Sequence, residues 1–131
     1  MAGPSVTASI GNVDYQVRLE DGTHSWIADE PAGIGGDTGP QPASLLLSSL
    51  GACTSITLKM YAERKQWPLE AVEVDLAYVK SGEGMRIDRR LTIEGPLDET
   101  QRARLADIAE RTPVTLTLKG GVEVVTTLKP A

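Results

Sequence analysis

The longest apolar pattern in the chain follows a Gly- and Pro-rich stretch and covers residues 42–67. Its apolar positions recur at alternating spacings of four and three: Leu46, Leu50, Cys53, Thr57, and Met60 or Tyr61. Such spacings place side chains on one stripe of an α-helix. Pro42 suits the first helical turn, because its ring fixes φ and its missing N–H would be unpaired there anyway. The pattern therefore predicts a long helix that ends at Trp67-Pro68, since proline disfavours helical backbone in the residue before it.

Small side chains occupy the middle of this helix. From Ser48 to Ser55 every residue except Leu50 is Ser, Gly, Ala, Cys or Thr. Glycine inside a helix costs about 1 kcal/mol relative to alanine, and a chain accepts that cost where another backbone or a ligand approaches closely. We therefore expect a crowded helix crossing at the cysteine, Cys53. On spacing alone, Cys53 is either a buried structural thiol, as free cysteines often are, or a reactive group.

Before the helix, three short segments carry β-branched residues in loose alternation: 5–11, 13–20 and 24–28. Gly11-Asn12 and Asp21-Gly22 separate them as turn signals, which predicts a meander of three antiparallel strands. Residues 29–41 hold too many Gly and Pro for regular structure. This loop is either a lid or ligand-contacting segment, or a connector that needs positive φ angles. It matches neither a Walker-type phosphate loop nor a dinucleotide site.

After the helix, strict alternation over 72–79, a turn at 81–84 and a return over 85–93 predict a hairpin. Asp98 with Gln101 is a capping-box pattern for a second helix that ends near Arg111. We expect a short turn at 113–118 and a last strand at 122–128. The order βββ-α-ββ-α-β implies an α+β fold with antiparallel sheet in a single domain, 1–131.

Charge and composition exclude several classes of protein. The net charge of −5 and the absence of a basic run argue against nucleic acid or an anionic membrane as partner. No apolar run reaches the roughly 18 residues of a membrane span. The single cysteine, and a start without the pattern of a secretory signal, favour a reducing cytoplasm, although a mature chain whose signal had been removed would look the same.

The segment GPQPASLLLSSLGACTSITLKMYAERKQWPLE resembles the OsmC/Ohr family of osmotically induced and organic hydroperoxide resistance proteins. The similarity lies in the Gly/Pro loop, the string LLL-x-x-LGAC-T and the helix end Y-A-x-R-K-x-W-P-L, and residues 106–128 resemble the second half of that family. The resemblance implies an intertwined homodimer in which antiparallel sheet wraps around long central helices. It also implies an active site built from both subunits.

The resemblance assigns Cys53 as the thiol that reduces hydroperoxides. A thiol attacks peroxide only as thiolate, and Cys53 lies about three turns past the start of its own helix, too far for that helix to stabilise the sulfur. An activating group must come from elsewhere. In the family it is an arginine from the N-terminal strands held by a glutamate. Arg18 is the nearest match, and the alternative is a solvated hairpin charge.

Two departures from the family pattern affect the mechanism. The glutamate at the start of the helix in the family is here Ala43 or Ser44. The second cysteine, which resolves the sulfenic acid as a disulfide, falls at Thr112. The two-cysteine cycle therefore cannot close within this chain, so Cys53 is either resolved by an external thiol or does something other than peroxide reduction.

The remaining candidates have plainer interpretations. His24 is expected to be a partly exposed strand residue rather than a base or a metal ligand with Asp29 and Glu30, and we predict no metal and no cofactor. The aromatic residues either line a pocket over Cys53 or belong to the core: Tyr15, Trp26, Tyr61 and Trp67. Five arginines are expected on solvated faces: Arg86, Arg89, Arg90, Arg102 and Arg104.

Two functions remain open at this stage. The first is an OsmC-like thiol protein of oxidative-stress defence, a hydroperoxide reductase with one cysteine, a small apolar hydroperoxide as substrate and an external thiol reductant. The second is a non-catalytic protein that binds a small molecule or electrophile in a dimer-interface pocket containing Cys53. A third possibility is that the chain keeps this fold and that its cysteine is inert.

Overall fold

The computed structural model describes residues 3–130. They belong to two compact units, one that runs to Ser48 and one that starts at Ser49. A long helix, α1 (Pro42–Lys65), begins in the first unit and continues in the second. The elements follow the order βββ-α-ββ-αα with antiparallel strands, which confirms the predicted α+β class.

The first unit contains the predicted three-stranded meander. Its strands are β1 (Thr7–Ile10), β2 (Val17–Glu20) and β3 (Ser25–Ala28), paired antiparallel in that order. Each strand is shorter than the sequence pattern predicts, because the residues around the turns use their polar groups locally. The side chain of Asp21 accepts the backbone N–H groups of Thr23 and His24, which closes the turn before β3.

The loop after β3 is organised by one buried carboxylate, Asp29. It accepts hydrogen bonds from the backbone N–H groups of Tyr15, Glu30, Gly36 and Thr38, and from the Thr38 hydroxyl at 2.6 Å. The loop closes so tightly that a Cβ on Gly35 would lie 2.5 Å from an Asp29 oxygen. The many glycines of this loop are therefore explained in part by close packing around Asp29.

Helix α1 ends in a Schellman motif. Gln66 adopts a left-handed conformation with φ of 60°, and the N–H of Trp67 bonds to the carbonyl of Ala62 at 2.9 Å. The predicted end of the helix is thus confirmed to within two residues. The small residues of α1 do allow close packing, since a Cβ on Gly51 would meet the Leu76 side chain at 2.8 Å, but this neighbour belongs to a strand, and the predicted helix crossing at Cys53 stays a prediction.

The buried face of α1 differs slightly from the predicted stripe. Leu50, Thr54, Leu58 and Ala62 are buried, whereas Cys53 is half-buried and Met60 is 60% exposed. By length and composition, α1 is the one helix in the described part of the chain that could cross a membrane. Its buried face, however, packs into the core of the second unit, as in a core helix of a folded domain.

The second unit adds a long hairpin and two helices. Strands β4 (Ala71–Ser81) and β5 (Gly84–Glu94) form the predicted hairpin, with Leu76 opposite Arg89. Helix α2 (Glu99–Ala109) begins with the predicted capping box of Asp98 and Gln101. Leu58, Ala62, Leu69, Leu105 and Ala109 form the core between α1, α2 and the hairpin.

Two predictions for the C-terminal region are wrong. Residues 113–118 do not form a short turn but belong to α3 (Pro113–Gly120), because Thr112 caps the helix and Pro113 fits its first turn. Residues 122–128 do not form a strand, although the chain there has the expected β-branched pattern. A strand needs a hydrogen-bonded neighbour, and no strand of residues 3–130 pairs with this segment. Its apolar side chains lie 63–95% exposed.

Candidate functional site

Cys53 lies in the middle of α1 with its thiol half-buried and free. Among residues 3–130, two hydrogen-bonding groups lie next to the sulfur. The backbone N–H of Val114 points at Sγ over 3.5 Å, and the Thr57 hydroxyl, one turn further along α1, lies 4.0 Å from it. Both can donate to a negatively charged sulfur. The sulfur therefore has one hydrogen-bond partner within α1 and one from a separate segment of the chain.

The Val114 contact comes from the first turn of α3. A helix N-terminus leaves several backbone N–H groups without helical partners. Here Pro113 has no N–H, the N–H of Thr115 bonds to the Thr112 hydroxyl, and the N–H of Val114 goes to Cys53. The positive end of the α3 dipole thus faces the sulfur. A hydrogen-bond donor from outside α1 thus reaches the sulfur, and it comes from the segment that the sequence predicted as a turn.

A cluster of hydroxyl groups surrounds this contact. Thr54, Thr112 and Thr115 are all buried. The Thr112 and Thr115 hydroxyls lie 2.6 Å apart, Thr115 donates to the Ala109 carbonyl at 3.2 Å, and Thr54 donates to the Leu50 carbonyl at 2.7 Å. Thr112, the position of the second cysteine in the family pattern, therefore lies in the turn that contacts Cys53.

Arg89 of β5 lies among these hydroxyls and not on a solvated face, so that prediction is wrong. Its side chain is 12% exposed. Nη1 donates to Thr54 and Thr115 at 3.1 and 2.9 Å, and Nη2 donates to the Ala109 carbonyl at 3.0 Å. The alternation of MRIDRRLTI holds the missed signal, because it places Arg89 on the same strand face as Ile87 and Leu91.

The other arginines divide between the two environments. Arg102 is also half-buried, where it donates to the carbonyls of Ile93 and Gly95. Arg86 and Arg104 are exposed and pair with nearby aspartates, as expected for solvated faces. These pairs lie away from the Cys53 contacts.

The carboxylate nearest to Arg89 is exposed. Glu110 lies 3.4 Å from Arg89 Nη2 and also pairs with Lys119 of α3. The Lys119 ammonium, with Arg89 as a weaker contributor, holds the pKa of Glu110 below its usual range. Glu110 therefore stays charged at neutral pH and balances part of the Arg89 charge, while also linking the end of α2 to α3.

Arg18, the other predicted site residue, lies on β2 in the first unit. Its side chain is 63% exposed and pairs with Glu20 at 3.1 Å on the same strand. With Ser25, Trp26 and Ile27 it lines a shallow open depression. Glu20 does not occupy the position of the family's glutamate, which is Ala43 or Ser44 here, and the role of Arg18 at Cys53 stays a prediction.

The remaining candidates are placed as follows. Ala43 and Ser44 lie in the first turn of α1, where neither carries a charge. His24 precedes β3, is exposed, and lies 3.1 Å from Asp21. Hydrogen bonds from the backbone of His24 and Thr23, and from the His24 ring, lower the pKa of Asp21 to about 2.

Of the aromatic candidates, two belong to the second unit. Tyr61 and Trp67 pack edge to face, with ring centroids 5.6 Å apart, against the hydrophobic core. The Tyr61 hydroxyl accepts a hydrogen bond from Arg104 at 3.0 Å. Their packing supports the core interpretation for these two rings.

Comparisons with known proteins agree with this fold. The family model described as "OsmC-like protein" matches residues 35–127. A crystal structure of an OsmC-like protein from Mycoplasma pneumoniae superposes with a TM-score of 0.78 at 24% identity, covering 91% of this chain and 89% of that one. None of the curated proteins compared with this chain matches it.

Two structures of organic hydroperoxide resistance proteins are also similar in fold. OhrB of Bacillus subtilis matches with a TM-score of 0.64 at 23% identity, covering 93% of this chain and 94% of that one. An organic hydroperoxide resistance protein OsmC from Legionella pneumophila matches with a TM-score of 0.65 at 20% identity over 92% and 91% of the two chains. Because the family model spans most of its length, this chain belongs to the OsmC-like protein family.

Proposed function

We propose that this protein reduces organic hydroperoxides through Cys53 in a cycle with one cysteine. The observation that carries the proposal is the Val114 N–H, which points from the first turn of α3 at the Cys53 sulfur over 3.5 Å. A backbone N–H at a helix N-terminus stabilises a thiolate, which is the form that attacks peroxide. The similarity in fold to organic hydroperoxide resistance proteins of Bacillus subtilis and Legionella pneumophila supports the same reaction.

The first step of the proposed reaction is oxidation of Cys53 by the hydroperoxide. The Cys53 thiolate attacks the distal peroxide oxygen, the O–O bond breaks, and the alkoxide takes up a proton to leave as an alcohol. The sulfur becomes a sulfenic acid. Thr57 and Val114 lie close enough to hydrogen-bond the changing sulfur throughout this step.

The return to the thiol requires a partner. Cys53 is the only cysteine in the chain, and Thr112 stands where the family pattern has its second one. An external thiol must therefore condense with the sulfenic acid, releasing water, and a second external thiol must reduce the mixed disulfide. Such thiols are abundant in a reducing cytoplasm, which is the compartment that we propose.

We also propose a homodimer. The outward face of α1 leaves Ile56 and Met60 exposed at 54% and 60% beside small residues, and the extended chain near Val124 and Leu128 is exposed still more. Apolar surface of this kind is normally covered by a partner. In a dimer, the Arg18 guanidinium of the first unit would be the cation that approaches Cys53.

The direct test is steady-state turnover of cumene hydroperoxide with a small dithiol as reductant. The wild type is expected to consume the hydroperoxide faster than hydrogen peroxide, and Cys53→Ser to fall to the rate without protein. Arg18→Met, with Arg90→Met as an exposed control, tests the cation and is expected to slow turnover about tenfold or more, as for loss of a charged hydrogen bond. Turnover that persists in Cys53→Ser would rule out the proposal.

A second candidate function is binding without turnover. It is favoured by the uncharged Ala43 and Ser44 at the start of α1 and by Thr112, which together remove two groups of the family's peroxidase chemistry. In this case native mass spectrometry of the purified protein would show a retained small molecule, and the hydroperoxide assay would show no rate above background. The peroxidase proposal expects the reverse of both results.

A further inference from the structure

Arg89 is a charge on an otherwise apolar strand face. On β5, Arg89 lies on the same strand face as Ile87 and Leu91. Across the hairpin it lies opposite Leu76. A guanidinium that is 12% exposed is costly to bury unless its donors are satisfied. Its position next to α1 therefore calls for an explanation beyond packing.

The hydrogen bonds of Arg89 join the two elements that meet at the sulfur. Nη1 donates both to Thr54, the residue after Cys53, and to Thr115, the residue after Val114. One nitrogen atom thus connects the immediate neighbours of the two residues whose Sγ and N–H are in contact. The bond from Nη2 to the Ala109 carbonyl fixes the end of α2, from which α3 follows after three residues.

We propose that Arg89 is a positioning residue for Cys53. By holding Thr54 and Thr115 together, it keeps the first turn of α3 against α1 and so keeps the Val114 N–H on the sulfur. This positioning role rests on the proposed function in one respect: it matters for catalysis only if the Cys53 thiolate attacks peroxide. The effect on the thiol itself can be measured without any peroxide.

The shape of the side chain matters for this role. The planar guanidinium reaches two hydroxyls and a carbonyl at once, whereas a lysine ammonium on a flexible stem cannot reproduce that geometry. Methionine has a similar length without the hydrogen bonds, and replacement of a buried ion by an apolar residue is often tolerated by the fold. Arg89→Met therefore removes the hydrogen bonds while keeping most of the packing, and Arg89→Lys keeps the charge without the planar geometry.

The test is the pH dependence of Cys53 alkylation by iodoacetamide, with folding checked by circular dichroism. In Arg89→Met the alkylation rate at pH 7, relative to the plateau at high pH, is expected to fall about fivefold or more, as for loss of a hydrogen bond to a charged group. Arg89→Lys is expected to recover less than half of that loss. The control Arg90→Met, a change on the exposed neighbouring position, is expected to keep the wild-type profile.

A folded Arg89→Met protein with the wild-type pH profile would overturn the inference. If Arg89→Met does not fold, the same measurement is made on Thr54→Val and Thr115→Ser. Thr54→Val removes one hydroxyl that accepts from Arg89 while keeping the shape of the side chain. Thr115→Ser keeps the other accepting hydroxyl. The inference then requires a shifted profile in Thr54→Val and an unchanged one in Thr115→Ser, and the opposite pattern would overturn it.

Failure of the inference and failure of the proposed function give different results. A shifted profile in Arg89→Met together with no hydroperoxide turnover in the wild type would keep the positioning role and refute the peroxidase. Turnover in the wild type with an unshifted profile in Arg89→Met would keep the peroxidase and refute the positioning role.

Discussion

Single polar residues buried in this protein are tied to several partners at once. Hydrogen bonds to other segments of the chain are made by each of three residues: Cys53, Arg89 and Asp29. Among residues 3–130, no buried side-chain nitrogen or oxygen lacks a hydrogen-bond partner. Removing one member of such a network leaves the others unpaired, which costs more than the bond itself. We therefore expect single substitutions here to have effects out of proportion to their size.

Asp29 shows this most clearly. The Thr38 hydroxyl, and then the backbone N–H groups of Glu30, Thr38 and Gly36, hold the pKa of Asp29 well below its usual range. Because the folded value is lower than the unfolded one, the unfolded chain binds more protons in acid, and this contribution to stability falls as the pH drops below about 4.

Asp29→Asn should therefore lower the melting temperature at pH 7 by about 4 °C or more, a shift typical of losing such a group from a small domain. The gap between the variant and the wild type should narrow as the pH falls toward 3, because the unfolded wild-type chain then takes up a proton on Asp29 while the folded carboxylate stays ionised. Thermal melts monitored by circular dichroism measure both effects, with Glu30→Gln as the control in the same loop. A gap that stays constant with pH would contradict the assigned role of the carboxylate.

At the scale of helices and strands, the sequence predicts those features that depend on residues close to one another along the chain. The apolar spacing of α1, the strict alternation of β4 and β5, and the capping box at Asp98 all depend on near neighbours in sequence, and each is confirmed. Helix α3 was missed because the β-branched residues of PVTLTL disfavour helix, although Thr112-Pro113 is a valid start signal.

The parts of the site that were not predicted depend on distant contacts. The sequence separates Cys53 from Val114 by 61 positions and Thr54 from Arg89 by 35, so neither contact is visible in local periodicity. The strand predicted at 122–128 is wrong for a related reason. Its pattern predicts extended chain, but strand formation depends on a neighbour, and none of the strands between residues 3 and 130 pairs with it.

At the scale of the whole molecule, the proposed homodimer would cover apolar surface that is exposed on α1. Ile56 lies on the outward face of the helix with 54% of its surface exposed, and Met60 follows one turn later. If this face is the dimer interface, a charge placed there is buried without a partner, which is strongly unfavourable.

Ile56→Glu should therefore weaken the dimer about tenfold or more. Analytical ultracentrifugation of the wild type should give twice the chain mass of 14.0 kDa, and the variant should shift toward the monomer as it is diluted. Met85→Glu, at the exposed tip of the hairpin, serves as the control and should remain dimeric. A wild type that is monomeric at micromolar concentration would contradict the proposed assembly.

The central claim is that the sulfur of Cys53 is an activated thiolate that a hydroperoxide can oxidise. Its most direct measurement is the mass of the reduced protein after brief exposure to one equivalent of cumene hydroperoxide in the presence of a sulfenic-acid trap, with Cys53→Ser as control. We expect rapid addition of one trap molecule, at Cys53 and not in the control. No addition to the native protein, while the denatured chain still reacts with iodoacetamide, would show a shielded and unactivated thiol and would contradict the claim.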